Sequence, residues 1–196
     1  IPVLMIWFVF ISNITLLDER IFSFAGSHIT PERTRIARAI TFLGNHNFLI
    51  PANLLLIGIL LWRKKNKLAL HTAIIALSSL GLMSLLKNTF RRPRPADPMI
   101  AGVTNFSFPS GHAFMSVAFY GLLIWLIAEF VKHKTWRAGL IVFLVLLVLL
   151  IGFTRIYLRM HYATDVIAGL GFGLFWLYGC LILLDQYDRR EKTGPL

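Results

Sequence analysis

The chain has 196 residues, of which 57% are hydrophobic and 15% charged. This composition excludes an ordinary soluble domain, in which apolar residues are fewer and charged residues more frequent. The net charge of +11 does not indicate a nucleic-acid-binding protein, because the basic residues stand between apolar runs, where they suit lipid headgroups or an anionic substrate. The single cysteine, Cys180, excludes an internal disulfide.

Six apolar runs predict membrane-spanning helices, because a lipid-exposed chain must satisfy its own backbone hydrogen bonds. The runs cover residues 1–17, 48–62, 68–86, 111–131, 138–152 and 165–184. We therefore predict an all-α polytopic membrane protein with six transmembrane helices, forming one domain over residues 1–196. The chain starts inside an apolar run with no charged segment before it, so we interpret the first run as a truncated spanning helix rather than a cleaved signal peptide.

The segment 18–47, between the first two runs, has the pattern of an interfacial amphipathic helix. Thr30, Pro31 and Glu32 are typical of an N-cap, a first helical position and an acidic first turn. Gly44 is suited to end the helix. The apolar face is formed by Ile36, Ile40 and Leu43. Such a helix serves either as a connection between two spans or as a lid over a substrate entrance.

The orientation follows from the basic turns. Alternation of the spans places 63–67 (RKKNK), 132–137 (KHKTWR) and the basic tail after Leu184 on one side. The positive-inside rule makes that side cytoplasmic. The opposite side carries as many Lys and Arg residues, so the orientation depends on assigning some of these to substrate binding.

Three polar segments interrupt the apolar pattern, and the six-helix topology places all three on the non-cytoplasmic side. The first is KNTFRRPRP, residues 87–95, in which two prolines disfavour helix in the residues before them. A loop of about fifteen residues follows, and loops of this length are often functional. Lys87 and Arg94 are candidates for gripping a substrate, whereas Arg91 and Arg92 equally suit anchoring to headgroups.

The second polar segment is PSGH, residues 109–112. Pro109 and Ser110 suit the start of a helix, and Gly111 lets a ligand approach the backbone closely. A helix N-terminus with free amide hydrogens is an anion site, and His112 in the first turn would lie beside the anion. The alternative is a simple N-cap followed by an interfacial histidine.

The third polar segment is TRIYLRMHYATD, residues 154–165, which places Arg155 at the end of the fifth run. His161 and Asp165 are four residues apart and would share one face of a helix. A carboxylate that accepts the hydrogen bond of one imidazole nitrogen leaves the other free as a nucleophile. The alternative is that Asp165 caps the sixth run beside an unrelated histidine.

Together the three segments predict a cationic pocket with a nucleophile, an acid and an orienting carboxylate. A metal site fits less well, because the surrounding cations would repel a divalent ion, and we predict no cofactor.

At these residues the sequence resembles the type-2 phosphatidic acid phosphatase superfamily, which includes lipid phosphatases and vanadium haloperoxidases. The family's first motif is Lys, six residues and Arg-Pro, here residues 87–95. Its second motif, PSGH, is intact at 109–112. Its third is Ser-Arg, five residues, His, three residues and Asp, here residues 154–165 with Thr154 in place of the usual Ser, which keeps the hydroxyl.

The resemblance implies a metal-independent hydrolase of phosphate monoesters or diphosphates. His161 would attack phosphorus and form a phosphohistidine, while Asp165 orients it. His112 would protonate the leaving oxygen and later activate water. The phosphoryl oxygens would be held by Lys87, Arg94, Ser110, the amide of Gly111 and Arg155. Such groups fit a reaction that depends on positioning and charge stabilisation.

The expected partner is a membrane lipid phosphate in the bilayer, with undecaprenyl diphosphate, phosphatidylglycerol phosphate and phosphatidic acid as candidates. The expected location is a bacterial inner membrane with the site on the periplasmic side; no nucleic acid is expected, and the sequence does not indicate an oligomeric state. Arg91, Arg92 and Arg159 suit a second phosphate or headgroups, and Asp97 and Asn105 suit turns or headgroup contacts. Two alternatives remain open at this point: a vanadate-dependent haloperoxidase-like enzyme, whose known relatives are soluble and larger, and a non-catalytic lipid-binding or transport protein.

Overall fold

The structure is a computed structural model that describes residues 15–192. In this part of the chain the regular structure is entirely helical, as predicted. The seven helices are α1 (Thr15–Gly26), α2 (Pro31–Phe42), α3 (His46–Trp62), α4 (Asn66–Phe90), α5 (Gly111–Phe130), α6 (Lys134–Tyr157) and α7 (Ala163–Lys192).

Among the described residues, five segments are long and apolar enough to cross a membrane, and they correspond to the second to sixth predicted runs. They are Pro31–Trp62, Asn66–Phe90, Gly111–Phe130, Lys134–Tyr157 and Ala163–Arg190. The first predicted run, 1–17, lies outside the described residues except for its last three. On the outer face of α6, Val142, Phe143 and Leu146 are exposed, as expected for side chains that face lipid. The chain is therefore an integral membrane protein.

Helix α2 begins as the sequence predicts. The Oγ1 of Thr30 accepts a hydrogen bond from the backbone N–H of Arg33 at 3.3 Å, and Pro31 is the first helical residue. The face that packs against α6 centres on Ala37 and Thr41, which are buried, whereas Ile36 is 58% exposed. Helix α2 therefore packs on the bundle with small side chains, and the larger apolar side chain of Ile36 stays outside the contact.

Helix α5 is the centre of the bundle, because it packs mainly against α6 and α7 and also contacts α3 and α4. Its contact with α7 depends on two glycines at a four-residue spacing, which predicts close approach of two helices. A Cβ atom added at Gly169 would lie 2.6 Å from the backbone oxygen of Ser110 and 3.0 Å from Cβ of Ala113. At Gly173 it would lie 2.9 Å from Cβ of Val117. The close contact is thus present in the structure.

We expect Gly169→Ala to destabilise the protein by about 1–3 kcal/mol, because the new methyl group would overlap backbone that cannot move without shifting the start of α5. Thermal unfolding in detergent measures the effect. Gly179→Ala on the same helix is the matched control, since a Cβ there meets no atom within 4 Å and alanine favours the helix. Equal melting temperatures for the two variants would contradict this packing.

The helix termini bring the three polar segments to one end of the bundle. The C-terminal ends of α4 and α6 and the N-terminal ends of α5 and α7 meet there, joined by the loops 91–110 and 158–162. The backbone N–H of Ser110 donates to the carbonyl of Asp165 at 2.9 Å, and that of Met99 donates to the carbonyl of Leu158 at 3.1 Å. The N-termini of α5 and α7 thus add their positive dipole ends to one site.

Candidate active site

Most of the predicted site residues line a single cavity of about 840 Å³. These residues are Lys87, Arg94, Gly111, His112, Arg155 and His161. Ser110 and Asp165 do not line it and are completely buried. Among the described residues, no group of three or more His, Cys, Asp or Glu side chains is arranged to hold a metal ion.

His161 lies in the turn before α7, so it does not share a helix with Asp165. Its Nε2 is 3.3 Å from Nη1 of Arg94, and its Nδ1 is 3.3 Å from Oγ of Ser107. A guanidinium group only donates, so Nε2 acts as the acceptor and the ring proton is assigned to Nδ1. The lone pair of Nε2 consequently points into the cavity, toward the cations.

Ser107 stands between the histidine and the carboxylate, a role that the sequence analysis missed. Its hydroxyl donates to Oδ2 of Asp165 at 2.5 Å, and the same carboxylate oxygen is 3.7 Å from Nδ1 of His161. A separation of 3.7 Å is too long for a hydrogen bond. The predicted direct bond between Asp165 and His161 is therefore replaced by a relay through Ser107. The only signal in the sequence is its place just before PSGH, which brings it to the start of α5.

Asp165 combines two roles that the sequence analysis treated as alternatives. In the first turn of α7 its Oδ2 accepts from the backbone N–H of Tyr162 at 3.0 Å, which is the acidic half of a capping box. The same oxygen accepts from Ser107, while Oδ1 accepts from Nη1 of Arg92 at 2.6 Å. The helix cap and the hydrogen bonds therefore fix this carboxylate in one orientation.

Arg92 is neither a headgroup anchor nor a ligand of the cavity, in contrast to both sequence interpretations. Its side chain is 17% exposed, donates to Asp165 and Asp18, and lies with its Cζ 4.2 Å from the ring centroid of Tyr162. Burial lowers its pKa, but the carboxylates of Asp165 and Asp18 more than offset this and raise the pKa above its ordinary value. Arg92 is thus a fixed positive charge outside the cavity, paired with the carboxylate that the relay from His161 reaches.

The other two uncertain arginines also lie off the cavity. Arg91 is exposed and donates from Nε to the carbonyl of Asn88 at 3.0 Å. The guanidinium of Arg159 lies 5.6 Å from the ring centroid of Phe22 in α1. The geometry of this structure therefore gives neither of them a contact with a phosphate in the cavity.

The three cations that line the cavity are held by neutral acceptors. Lys87 donates to the carbonyl of Phe106 at 2.5 Å, and Arg94 donates to the carbonyl of Met160 at 2.6 Å and to both oxygens of Asn105. Nη1 of Arg155 donates to Oγ1 of Thr41 on α2 at 2.9 Å. In the described part of the chain none of these cations pairs with a carboxylate. Their charge is available to an anion.

The structure also shows the surroundings of Asn105 and Asp97, two residues of the loop between α4 and α5. Asn105 is an acceptor for Arg94 and thus supports the site from its edge, which neither a simple turn nor a headgroup contact describes. Asp97 is exposed, with φ +53°, in agreement with the turn interpretation.

His112 lies in the first turn of α5 on the wall of the cavity. Its Nε2 is buried and has no hydrogen-bond partner among the described residues. The backbone at Gly44 covers the ring closely, since a Cβ there would lie 3.3 Å from Cδ2 of His112. A hydrogen-bond donor or acceptor on a bound molecule would give this nitrogen the partner that it lacks. The hydroxyl of Ser110 likewise has no partner in the described residues, and its predicted contact with phosphate stays a prediction.

The environment of His161 keeps the ring neutral. Burial lowers its pKa from the ordinary 6.5 to about 4; Asp165 opposes the shift, and the charges of Arg94 and Arg155 add to it. At neutral pH the lone pair on Nε2 is therefore available for attack.

The cavity continues from the cations along α3 and α4 and becomes apolar. On α4 its lining extends from Lys87 to Ala73, which at 1.5 Å per residue is about 21 Å. That length is about two thirds of a hydrocarbon core roughly 30 Å thick. Leu54 and Leu77 line it and are also largely exposed, so this part opens sideways between the two helices. The whole cavity suits a ligand with an anionic head and an apolar tail.

Comparisons with known proteins agree with this geometry. The chain is 28% identical to phosphatidylglycerophosphatase B of Bacillus subtilis over 183 residues, which cover 89% of this chain and 85% of the relative. It is 32% identical to the lipid A 4'-phosphatase of Bacteroides thetaiotaomicron over 130 residues, which cover 57% of this chain and 54% of that protein. The crystal structure of a transmembrane PAP2-type phosphatidylglycerolphosphate phosphatase from Bacillus subtilis superposes with a TM-score of 0.80, at 25% identity and 96% coverage of both chains. The PAP2 superfamily model matches residues 67–189, which hold all three motifs, and the chain belongs to that superfamily.

Proposed function

We propose that this chain is a membrane lipid phosphatase that transfers a phosphoryl group from a lipid phosphate to His161 and then to water. The observation that carries the proposal is that Nε2 of His161 contacts Arg94 in a cavity also lined by Lys87 and Arg155, and that within residues 15–192 none of these three cations pairs with a carboxylate. A phosphate in the cavity would supply the missing negative charge. It would also displace the contact between Arg94 and Nε2, which frees the nucleophile and gives the guanidinium a better acceptor.

In the first step, the lone pair of Nε2 forms a bond to phosphorus while the bond from phosphorus to the lipid oxygen breaks. His112 gives its proton to that oxygen, so the lipid leaves as an alcohol, or as a monophosphate if the substrate is a diphosphate. The proton on Nδ1 stays in the relay through Ser107 to Asp165, which stabilises the ring as it becomes positively charged. Lys87, Arg94 and Arg155, together with the N-terminus of α5, stabilise the phosphoryl oxygens.

In the second step, water attacks phosphorus and the bond to Nε2 breaks. His112, now neutral, takes a proton from the water, and inorganic phosphate leaves. Both histidines return to their starting protonation states. The cycle uses side chains and backbone amides of this protein together with water.

The apolar groove supports a lipid as the substrate. Its sideways opening between α3 and α4 lets acyl or isoprenoid chains stay in the bilayer while the head enters the cationic end. The relationship to phosphatidylglycerophosphatase B favours phosphatidylglycerol phosphate as the first candidate, followed by phosphatidic acid and undecaprenyl diphosphate. The basic turns on the opposite end favour a bacterial inner membrane with the site on the periplasmic side.

The test is phosphate release by the purified protein from these three lipids, each in mixed micelles with excess chelator. We expect turnover without added metal and a clear preference for one lipid. Binding of the lipids without hydrolysis would contradict the proposal and favour a lipid-binding protein. A requirement for divalent metal would contradict the mechanism.

We expect Ser107→Ala to lower kcat by about 10- to 100-fold with KM nearly unchanged, because the alanine breaks the relay to the nucleophile without touching the cations. Steady-state kinetics on the best lipid measure this. Ser84→Ala is the matched control, since Ser84 lines the same cavity without contacting His161. Equal kcat values for the two variants would show that the relay is not used.

The pH dependence of kcat/KM should show an acidic limb near pH 4. His161 has a lowered pKa of about 4, so the neutral nucleophile persists as the pH falls past 6.5 and is lost only below about 4. The substrate has its own ionisation near pH 6. Measuring two substrates whose phosphates differ in pKa separates the two effects. A limb caused by His161 keeps the same midpoint with both substrates, whereas a limb caused by the substrate shifts. A common acidic limb near 6.5, where kcat/KM falls as the pH is lowered, would contradict the burial effect.

A further inference from the structure

Asp18 is a buried carboxylate that none of the three motifs includes. It lies on α1, before the segment that the family model matches, and it is 3% exposed. Its Oδ1 accepts from the backbone N–H of Thr164 at 3.0 Å, and its Oδ2 accepts from the hydroxyl of Thr164 at 2.7 Å. Asp18, on α1, thus caps the first turn of α7. It does so at Thr164, the residue immediately before Asp165.

Arg92 joins Asp18 to Asp165. Its Nη2 donates to Oδ2 of Asp18 at 2.9 Å, and its Nη1 donates to Oδ1 of Asp165 at 2.6 Å. Each carboxylate takes a separate nitrogen of the planar guanidinium, an arrangement that a lysine ammonium cannot copy. Nη1 also donates to Oγ1 of Thr164 at 2.8 Å, and Arg92 does not line the cavity that Lys87, Arg94 and Arg155 line.

We infer that Asp18 and Arg92 form a positioning clamp for Asp165. With Oδ1 held by Arg92, Oδ2 is directed at Ser107 and through it at the Nδ1 proton of His161. The clamp acts on the nucleophile and not on phosphate binding. It rests on the proposed function and adds a contribution from α1 to the chemistry.

The first test compares Arg92→Met with Arg91→Met. The two substitutions remove the same charge at adjacent positions, but Arg91 is exposed, and its side chain donates to the carbonyl of Asn88 in its own helix. We expect Arg92→Met to lower kcat by about 10- to 100-fold with KM within about twofold, and Arg91→Met to resemble the wild type. Arg92→Lys should regain little of the loss. Equal kcat values for the two methionine variants, or a loss that appears mainly in KM, would overturn the clamp.

The second test is a double-mutant cycle with Asp18→Asn, which keeps the shape and the capping oxygen of the side chain. If Asp18 acts through Arg92, its substitution lowers kcat in the wild type and has little further effect in the Arg92→Met background. A fully additive loss would assign Asp18 to helix capping alone and overturn the inference.

A third measurement separates this inference from the proposed function. Vanadate bonded to Nε2 of His161 imitates the transition state, whereas inorganic phosphate imitates only the ground state. Calorimetric binding of both ions needs no turnover. We expect Arg92→Met to weaken vanadate binding by the same factor as kcat and to leave phosphate binding unchanged. If the wild type hydrolyses no lipid, the proposed function fails while this comparison still decides the clamp; unchanged vanadate binding overturns it.

Discussion

His161→Ala is expected to reduce phosphate release by about 10⁴-fold or more, because no other described nitrogen in the cavity combines a lone pair directed at the cavity with a relay to a buried carboxylate. The variant should also fail to form a phosphoenzyme. Quenching the wild type during turnover of a ³²P-labelled lipid should trap a label that is stable in base and labile in acid, as a phosphohistidine is. The same experiment on His161→Ala should trap none.

The control for this loss is His28→Ala. His28 lies in the turn between α1 and α2, its ring contacts Phe24 and Ser27, and it does not line the cavity. It should retain wild-type activity and labelling. His161→Ala should still bind inorganic phosphate, since Lys87, Arg94 and Arg155 are intact. A labelled phosphoenzyme in His161→Ala would place the nucleophile elsewhere.

The spans were predictable because hydropathy reports the requirement that the bilayer imposes. The residues at which the helices begin and end were less predictable. Helix α7 continues past the predicted end at Leu184 into charged residues, and α6 starts at Lys134, four residues before its predicted run. Backbone hydrogen bonds continue a helix into the headgroup region, where polar side chains no longer oppose it. Apolarity therefore marks the part of a helix inside the hydrocarbon and not the whole helix.

The residues that carry the chemistry were predictable because their types and spacing are rare outside such a site. Their supporting contacts were not. Arg91 and Arg92 are identical neighbours, and the backbone decides between them: Arg91 ends α4 with φ +46°, which turns the chain so that Arg92 points inward. Asp18 and Ser107 act through partners far away along the chain. No local pattern encodes such a contact, since it exists only once α1, the loop before α5 and α7 have packed together.

The geometry of His112 leads to a prediction that depends on the leaving group. Its buried Nε2 has no partner in the described residues and lies on the wall of the cavity that contains Nε2 of His161. We expect His112→Ala to slow hydrolysis of a lipid alkyl phosphate by about 10²–10⁴-fold, because an alkoxide must be protonated as it leaves. An aryl phosphate leaves as a stable phenolate, so its transfer to His161 should lose much less.

The second step still needs a base, however, and His112→Ala should therefore accumulate phosphoenzyme with the aryl substrate. Rapid-quench kinetics should show a burst of phenolate close to one per active site, followed by slow release of phosphate. The double variant with His161→Ala should show no burst, which ties the burst to the phosphohistidine. If His112→Ala slows the alkyl and the aryl substrates equally, His112 does not protonate the leaving group. Its place beside the cations would then serve only to shape the cavity.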